Sequence, residues 1–293
     1  MANELAALSN DLAGVVARSK DAVVAVHARP RFSSSGVLWR PGVLVTAEHT
    51  LRREEEITVT LPDGTTQAAT LAGSDPGTDV AVLKTDWPAG KTVVSSTADP
   101  VPGNLVLALG RSQDSGINAT MGIVSAVSGS WRTWRGGRLD RYIRLDLMLY
   151  PGSSGGVVVN TSGEAIGIAT SALSRIAGLA IPASTINRVV DEILARGHVA
   201  RGYLGVGLQP VELPDHHKGL IVLSLERGGP AAKAGVLIGD ILVKLGGKEL
   251  GDTDDVQSAL ESHAVGQGVD AALLRGGAST NLTITVGERP RRS

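Results

Sequence analysis

Between residues 22 and 181 the sequence alternates short runs of Val, Ile and Leu with clusters of Gly, Pro, Asp and Asn. Runs of roughly four to eight such residues, bounded by turn residues, predict β-strands. Many short strands joined by tight turns are typical of a β-barrel or a β-sandwich. The predicted strands cover residues 22–27, 43–46, 57–61, 80–83, 105–109, 123–127, 143–147, 157–160 and 165–170.

Helical patterns lie on both sides of this strand-rich region. Apolar residues from Leu5 to Val16 recur at helical spacing and predict a short N-terminal helix. A second apolar stripe, from Ile186 to Leu194, predicts a helix that links two domains. The following segment has the length of a small domain. It contains predicted strands at 205–208, 220–225, 241–245, 269–274 and 282–286, and a predicted helix at 254–262.

Composition excludes several classes of function. The net charge is −1, so there is no basic field to hold nucleic acid or an anionic membrane. The chain has no cysteine, which excludes disulfides, thiolate nucleophiles and thiolate metal sites. It also lacks a His-Glu-x-x-His motif and a phosphate-binding loop, so no metal or cofactor is expected.

The N-terminal segment bears on the location of the protein. It lacks the basic start and the continuous apolar run of a signal peptide, and no apolar run approaches membrane-spanning length. As written, the sequence predicts a cytoplasmic protein without a membrane segment. A chain trimmed of an export signal or anchor would look the same, so a periplasmic or other extracytoplasmic location stays open.

Ser154 lies in segment 151–156, whose sequence is Pro-Gly-Ser-Ser-Gly-Gly. Glycines allow a tight turn that can aim backbone amides at a developing oxyanion, as a nucleophilic serine requires. The same composition is also typical of a flexible linker. The predicted strands on both sides, 143–147 and 157–160, favour a turn held in a rigid frame.

Two upstream residues could complete a nucleophilic serine site. A serine hydroxyl needs an imidazole to accept its proton and a carboxylate to hold the tautomer of that imidazole. His49 follows the apolar run 43–47, at the end of a predicted strand. Asp79 begins the apolar run 79–83, whereas Asp75 lies in a Ser-Asp-Pro-Gly sequence that predicts a turn. A lone histidine or a turn aspartate is usually structural, so only the combination favours a site.

The order of His49, Asp79 and Ser154 resembles that of trypsin-fold proteases, and the surrounding motifs resemble the HtrA/Deg family. The matching segments are 46–49 (Thr-Ala-Glu-His), 79–84 (Asp-Val-Ala-Val-Leu-Lys), 122–126, 146–156, 163–168 and 201–206 (Arg-Gly-Tyr-Leu-Gly-Val). The resemblance implies a mainly β fold, with a trypsin-like double β-barrel of two six-stranded barrels followed by a PDZ domain. It implies a protease domain at 1–182, a linker helix at 183–199, a PDZ domain at 200–288 and a basic tail at 289–293.

The resemblance also implies roles for individual residues. Ser154 would be the nucleophile, His49 the general base and then acid, and Asp79 the residue that orients His49. The oxyanion hole would use backbone amides of Gly152, Ser153 and Ser154. The implied substrate contacts are Thr170 and Ser171, which would pair with the substrate backbone, and Leu149 and Leu173, which would line a small apolar pocket.

Three positions depart from the family pattern. Glu48 replaces the usual alanine beside the histidine, Ser153 replaces the usual asparagine before the nucleophile, and Tyr150 replaces a common asparagine. A carboxylate near His49 could compete with Asp79 if it faced inward. Because adjacent strand residues alternate faces, Glu48 is expected to point to solvent.

In the second domain, the resemblance implies capture of peptide C-termini. A PDZ domain adds a peptide as a strand to a sheet edge and holds the terminal carboxylate with loop amides. Leu204, Gly205 and Val206 would make these contacts, and the helix at 254–262 would form the other wall of the groove.

The implied function is a cofactor-independent serine endopeptidase that cleaves unfolded or misfolded polypeptides in protein quality control. The alternative is a catalytically weak or inactive chaperone or scaffold that binds peptides through the PDZ domain. Members of this family often form homotrimers through an aromatic-rich N-terminal segment, and Phe32 is the only phenylalanine in this chain.

Overall fold

The computed structural model describes residues 2–30, 32–53, 55–87, 91–113, 115–214 and 217–289. The chain divides into two compact units, Met1–Val199 and Ala200–Ser293. Of the predicted basic tail at 289–293, only Arg289 belongs to the described residues. None of the helices in the described ranges is long and apolar enough to cross a membrane.

The first unit begins with helix α1 (Ala2–Ser19), which packs through its C-terminal half. Val15 is buried in the core of the unit, and Leu12 and Val16 pack against that core. Leu5 and Leu8, in the N-terminal half, are exposed. The predicted amphipathic pattern is therefore used over only part of the helix.

The first barrel is a closed sheet with the strand order β1-β2-β3-β6-β5-β4. Its interior holds fully buried aliphatic side chains such as Val24, Leu38, Leu44 and Leu83. Closure leaves no free sheet edge, so the functional groups of such a barrel lie in the connections between strands. The strands are β1 (Val23–His27), β2 (Ser34–Arg40), β3 (Val43–Ala47), β4 (Ile57–Thr60), β5 (Thr66–Asp75) and β6 (Val80–Lys84).

The second barrel is closed in the order β11-β14-β13-β12-β7-β8. A short hairpin, β9 (Trp131–Arg132) and β10 (Arg138–Leu139), lies between β8 and β11 in the sequence. Together the two sheets confirm the predicted mainly β fold with two six-stranded barrels. The barrel strands are β7 (Leu105–Ser112), β8 (Gly116–Ser128), β11 (Tyr142–Asp146), β12 (Val157–Asn160), β13 (Ala165–Thr170) and β14 (Gly178–Pro182).

Helix α2 (Ala183–Arg196) belongs to the first unit. Its apolar stripe, including Ile186, Val189 and Ile193, is buried in the core of that unit. The helix ends at Gly197, which has a φ of 78° and whose N–H donates to Ile193 O at 2.7 Å. The helix lies in the segment predicted as a linker and packs into the first unit because an amphipathic stripe must bury its apolar side.

The second unit is built on an open antiparallel sheet with the order β16-β17-β18-β20-β21. Strand β16 is therefore an edge of the sheet. Helix α4 (Thr253–Glu261) packs against β15 and β16 and begins with a capping box between Asp252 and Asp255. The remaining elements are β15 (Gly202–Tyr203), β16 (Val206–Glu212), β17 (Lys218–Leu225), α3 (Pro230–Lys233), β18 (Ile241–Leu245), β19 (Lys248–Glu249), β20 (Gly268–Arg275), β21 (Ala278–Thr285) and β22 (Gly287–Glu288).

Candidate active site

His49 and Asp79 come together because β3 and β6 are neighbouring strands. Ala47 at the end of β3 pairs with Val80 at the start of β6. His49 lies in a 3₁₀ turn, Glu48–Thr50, directly after β3, and Asp79 directly precedes β6. The turn is tied to Asp79 by the N–H of Glu48, which donates to Asp79 O at 3.1 Å. The first barrel therefore supplies both groups at one end of adjacent strands.

The carboxylate of Asp79 is fully buried and receives hydrogen bonds on both oxygens. The ring Nδ1 of His49 lies 3.0 Å from Oδ1 and 2.9 Å from Oδ2, and the backbone N of His49 donates to Oδ1 at 2.8 Å. The hydroxyl of Thr170 in β13 donates to Oδ2. A carboxylate accepts and does not donate when ionised, so this arrangement favours a proton on Nδ1 and leaves Nε2 as the outward-facing nitrogen.

Asp79 has a left-handed backbone conformation, with a φ of 60°. Such a φ is uncommon for residues other than glycine and costs of order 1–3 kcal/mol when the surroundings impose it. The preceding turn is fixed by the buried carboxylate of Asp75, which accepts the Thr78 hydroxyl at 2.8 Å and the Gly77 N–H at 3.2 Å. Asp75 thus has a turn role, while Asp79 faces the imidazole.

Ser154 follows a tight turn at the end of the connection between β11 and β12. Ser153 N–H donates to Tyr150 O at 2.9 Å, with Pro151 and Gly152 between them. Gly152 has a φ of 93°. Proline followed by a left-handed glycine is the signature of a type II turn. The turn is thus specified by the sequence itself, and it is not the flexible linker that a bare Gly-Ser composition also allows.

The glycines after Ser154 are required by close approach of other backbone segments. A Cβ at Gly155 would lie 2.2 Å from Ser35 O, and a Cβ at Gly156 would lie 2.1 Å from Leu109 O. These separations are far shorter than any real contact of a Cβ atom. Any side chain at either position would push the nucleophile turn away from β2 and β7.

Ser35 in β2 holds the nucleophile turn from the first barrel. Its backbone N–H donates to Ser154 O at 3.1 Å, and its hydroxyl donates to Gly152 O at 2.7 Å. The same hydroxyl accepts the N–H of Arg111 at 2.9 Å. The side chain of Ser35 is fully buried. The neighbouring Ser34 is also buried, but its hydroxyl has no hydrogen-bond partner within the described chain.

Two backbone amides of the turn are available as donors. Within the described ranges, neither Gly152 N nor Ser154 N has a hydrogen-bond partner, whereas Ser153 N is occupied by Tyr150 O. Ser153 N therefore cannot serve as the additional oxyanion donor that the sequence suggested while this turn persists. The Ser154 side chain has one partner among the described residues, the hydroxyl of Ser171 at 3.2 Å, and does not bond to His49.

Glu48 differs from its predicted environment. Only 24% of its side chain is exposed, and its carboxylate lies 3.4 Å from the guanidinium of Arg135 in the β9–β10 hairpin. Burial, followed by the charge of Asp79, raises the pKa of Glu48, and the charge of Arg135 opposes this shift. The prediction that Glu48 points to solvent fails because residues 48–50 form a 3₁₀ turn, in which side chains do not alternate as in a strand.

The residues predicted to contact substrate fall into different environments. The Thr170 side chain is buried against Asp79, so its hydroxyl supports the carboxylate and does not face a ligand. Leu173 is 2% exposed and packs in the main core, which contradicts its predicted place in an accessible pocket. Leu149 is half-buried, with its side chain beside Gly178, and Ser171 is exposed next to Ser154.

In the second unit, the predicted peptide-binding residues form the connection from β15 to β16. Gly205 has a φ of 73°, and its carbonyl accepts the N–H of Glu226 at 2.9 Å. Leu204 O accepts the N–H of Ala231 at 2.8 Å, and the Leu204 side chain lies in the core of the unit. Leu204 can therefore reach a ligand only through its backbone. Val206 begins the edge strand β16.

Sequence reasoning missed Ser35, Arg135 and the supporting hydroxyl of Thr170. Ser35 lies in a run of three serines that has no distinguishing pattern, and Arg135 is far from Glu48 in the sequence. Within the described residues, no group of three His, Asp or Glu side chains is arranged to hold a metal ion. The site is thus an imidazole, a buried carboxylate and a hydroxyl on a turn with two available amides.

Two closed barrels, with a buried His–Asp pair from one and a serine turn from the other, define the trypsin-like peptidase class. A family model of the trypsin-like peptidase domain matches residues 34–168, and one of the PDZ domain matches residues 202–286. The chain is 31% identical to the serine endoprotease of Yersinia pestis, with a TM-score of 0.80, covering 94% of this chain and 97% of that one. It is 30% identical to the HtrA-type protease AlgW in a structure with a decapeptide, with a TM-score of 0.82 and coverage of 96% and 99%.

The chain belongs to the HtrA-type protease family. Among curated relatives, it is 35% identical over 280 residues to a probable periplasmic serine endoprotease, DegP-like, of Brucella suis, which covers 90% of this chain and 54% of the relative. It is 31% identical to the chloroplastic Protease Do-like 1 of Arabidopsis thaliana, with coverage of 90% and 65%. The chain thus spans between about half and two thirds of the length of these two relatives.

Proposed function

We propose that the chain is a serine endopeptidase in which Ser154, His49 and Asp79 act as the catalytic triad. The single observation that carries the proposal is the buried Asp79 carboxylate on Nδ1 of His49, with the Ser154 turn brought in from the second barrel. This arrangement is unfavourable for folding, because it buries a carboxylate and holds Asp79 in a left-handed backbone conformation. Unfavourable features of this kind are found at functional sites.

The proposed reaction proceeds in two steps. Ser154 Oγ attacks the carbonyl carbon of the scissile bond while Nε2 of His49 takes the hydroxyl proton, and His49 then gives that proton to the leaving amine. Water, deprotonated by His49, hydrolyses the acyl-enzyme and releases the second product. Asp79 keeps the proton on Nδ1 and stabilises the imidazolium that forms in each step.

The oxyanion would be held by Gly152 N–H and Ser154 N–H, the two available amides of the turn. Removing one such donor in a serine protease costs about 10²–10³ in turnover. Ser35 supports this role because it fixes the carbonyls of both residues from β2.

The hydroxyl of Ser154 contacts that of Ser171 in the protein without substrate. Nucleophile-to-base hydrogen bonds are often long or misaligned without substrate and tighten in the substrate complex. Ser171 is exposed, so a substrate backbone that pairs with it would release Ser154 Oγ towards Nε2 of His49. This is consistent with the predicted contact of Ser171 with the substrate backbone.

The proposed substrates are unfolded or misfolded polypeptides, in a quality-control role. An extended chain can reach a nucleophile that lies in a turn between two closed barrels, whereas a folded surface presents few extended segments.

The second unit would capture peptide C-termini by adding them to the edge strand β16, beside α4. The decapeptide in the AlgW structure supports peptide binding within the family. Homotrimer formation stays a prediction, and sedimentation at working concentration tests it.

The test is hydrolysis of an unfolded, casein-type substrate by the protein and by Ser154→Ala. The protein is expected to cleave the substrate, and Ser154→Ala to show no cleavage above background. A fluorophosphonate probe should label the protein and leave Ser154→Ala unlabelled. Equal, negligible cleavage by both, with no labelling, would overturn the protease proposal and support the alternative of a chaperone or scaffold that binds peptides through its second unit.

A further inference from the structure

A cavity of about 370 Å³ lies beside the nucleophile turn, on the side of the loop that joins β1 to β2. Pro151 forms part of its wall, so the cavity begins one residue from Gly152. Ser33 also lines it, and Ser33 O would meet a Cβ at Gly152 at 3.0 Å. Its other lining residues include His27, Arg29, Phe32 and Arg53.

The charged residues described in the wall of this cavity are basic. Arg29 and Arg53 both line it, and none of the residues described in its wall is acidic. Within the described residues, neither guanidinium forms an ion pair with a carboxylate. The third titratable group, His27, has a lowered pKa because of burial and, secondarily, the positive charge of Arg53. The histidine is thus mostly neutral at pH 7, and the arginines give the cavity its positive charge.

The arginines differ in how firmly they are held. Arg29 donates to Phe32 O and Ser33 O, each at 3.3 Å, which fixes its guanidinium against the wall of the cavity. Arg53 is exposed and makes no hydrogen bond to another described side chain, so it can move towards a bound anion. His27 accepts or donates a hydrogen bond with Thr60 at 2.8 Å, and its ring is therefore already partnered.

The position of the cavity relative to Ser154 assigns it to one side of the substrate. Ser171, whose hydroxyl contacts Ser154 Oγ at 3.2 Å, is the residue implied to pair with the substrate backbone, whereas the cavity is lined by Pro151 and the β1–β2 loop. We take the residues before the scissile bond to be the ones that pair with Ser171. A substrate bound with its carbonyl at Gly152 N–H would then pass its following residues over Pro151 and Ser33. These residues belong to the leaving group and would enter the cavity.

We propose that this cavity is an anion-binding subsite that takes a substrate carboxylate on the C-terminal side of the scissile bond. The inference rests on the proposed protease function and adds a substrate class to it. Carboxylates are favoured because guanidinium groups bind them in a planar, often bidentate arrangement. The carboxylate comes either from an Asp or Glu side chain within about three residues of the bond, or from the end of the peptide itself.

The experiment measures kcat/KM for a set of internally quenched peptides that share one sequence before the scissile bond. The peptides carry Glu, Gln or Lys at the second and third positions after the bond and end in an amide. A fourth peptide has Gln at both positions and ends there as a free carboxylate. We expect the Glu peptide to be cleaved about tenfold faster than the Gln peptide, and the Lys peptide to be the slowest. The ratio of the fourth peptide to its amide identifies the contribution of a terminal carboxylate.

Arg53→Gln should bring the Glu-to-Gln ratio close to one, and Arg53→Glu should reverse it. The matched control is Arg52→Gln, which removes the same charge from the adjacent residue outside the cavity wall. The control is expected to keep the ratio of the unaltered protein. A Glu-to-Gln ratio of one in the unaltered protein together with no gain of the fourth peptide over its amide, or an equal loss in Arg52→Gln and Arg53→Gln, would overturn the subsite.

The outcomes also separate this inference from the proposed function. Cleavage of all four peptides at equal rates, abolished by Ser154→Ala, keeps the protease and removes the subsite. Failure to cleave any of the peptides, together with no fluorophosphonate labelling, removes both. A fifth peptide, with Glu before the bond and Gln after it, tests the side: a rate gain for this peptide without one for Glu after the bond would overturn the assignment.

Discussion

The two units of this chain treat their strand edges in opposite ways. In the first unit, both main sheets close into barrels, and the groups proposed for catalysis lie in turns between strands. In the second unit, β16 forms the end of an open sheet, and a helix packs beside it. A closed sheet gives rigid positions and no pairing surface, whereas an open edge gives pairing without fixed chemistry. The comparison predicts that hydrolysis and peptide capture can be damaged separately.

The strongest separation is expected from Asp79→Asn. An amide would donate or accept differently at Nδ1 of His49 and would favour the wrong tautomer, so kcat should fall on the order of 10⁴-fold. The affinity of the second unit for a peptide C-terminus should not change. Steady-state hydrolysis and fluorescence anisotropy with a labelled peptide measure the two quantities. If hydrolysis and peptide affinity were both lost in a variant with an unchanged unfolding transition, the two activities would not be separable.

The milder Thr170→Val variant refines the same measurement. It keeps the shape of the side chain and removes one hydrogen bond to Asp79 Oδ2. A drop in kcat of about tenfold to a hundredfold is expected, since a hydrogen bond to a charged group contributes about 1.5–3 kcal/mol. An effect as large as that of Asp79→Asn would mean that Thr170 does more than support the carboxylate.

Ser35→Ala tests how a barrel wall positions the nucleophile turn. It removes the hydroxyl that donates to Gly152 O, and kcat should fall about tenfold to a hundredfold, in line with a lost buried hydrogen bond of about 1–3 kcal/mol. KM should change little. Ser34→Ala is the matched control, because its buried hydroxyl has no partner in the described chain and its removal should leave kcat unchanged. A lower Tm in Ser35→Ala with normal kcat would reduce Ser35 to a structural residue.

Gly205→Ala tests the second unit. The left-handed φ of 73° at this position costs a residue with a Cβ about 1–2 kcal/mol, so peptide affinity should weaken about tenfold as the loop adjusts. Gly228→Ala is the control, since Gly228 has a φ of 72° with open space around it. Isothermal titration with a C-terminal peptide compares the two. Equal weakening in both variants would point to lost stability of the unit and not to the loop.

The smallest effect is expected from Glu48→Gln in the first unit. The raised pKa of Glu48 means that the folded chain holds the proton more tightly than the unfolded chain. The ionised side chain therefore destabilises the fold at neutral pH, and this penalty disappears as the pH falls below the usual value of 4.5. Glu48→Gln should raise the free energy of unfolding at pH 7 by less than about 1 kcal/mol, with no gain near the acid end.

Urea unfolding of Glu48→Gln and of the unaltered protein at neutral and at acid pH measures this difference. A less stable variant at pH 7 would show that the ion pair with Arg135 outweighs the burial of the carboxylate.

The sequence predicted the strands whose residues are nearly all aliphatic and missed those with mixed composition. Runs such as β12 and β13 are buried on both faces and stand out from their surroundings. Strand β5 is largely polar and half-exposed, and β2 starts with serines, so neither shows the expected pattern. The positions of these two strands depend on barrel closure, which involves residues that are far apart in the sequence.

Some features of the candidate active site could likewise be predicted from the sequence, and others could not. The identities of His49, Asp79 and Ser154 followed from motifs and their order. The environment of Glu48 did not, because its contact with Arg135 comes from a distant hairpin and its turn geometry differs from that of a strand. Leu173 was misplaced because an apolar residue after a strand can face either a pocket or the core, and only packing decides between them.

Ser35 belongs to the first barrel and Ser154 to a turn of the second, so the hydrogen bond between their backbones spans the seam between the barrels. A shift of one barrel against the other would lengthen this hydrogen bond and move the nucleophile turn. A ligand, a higher temperature or a substitution that lets one barrel slide on the other would therefore abolish the reactivity of Ser154 while both barrels stay folded. Fluorophosphonate labelling of Ser154 would then measure whether the two barrels are aligned. It should be lost at a lower denaturant concentration than the circular dichroism signal of the strands.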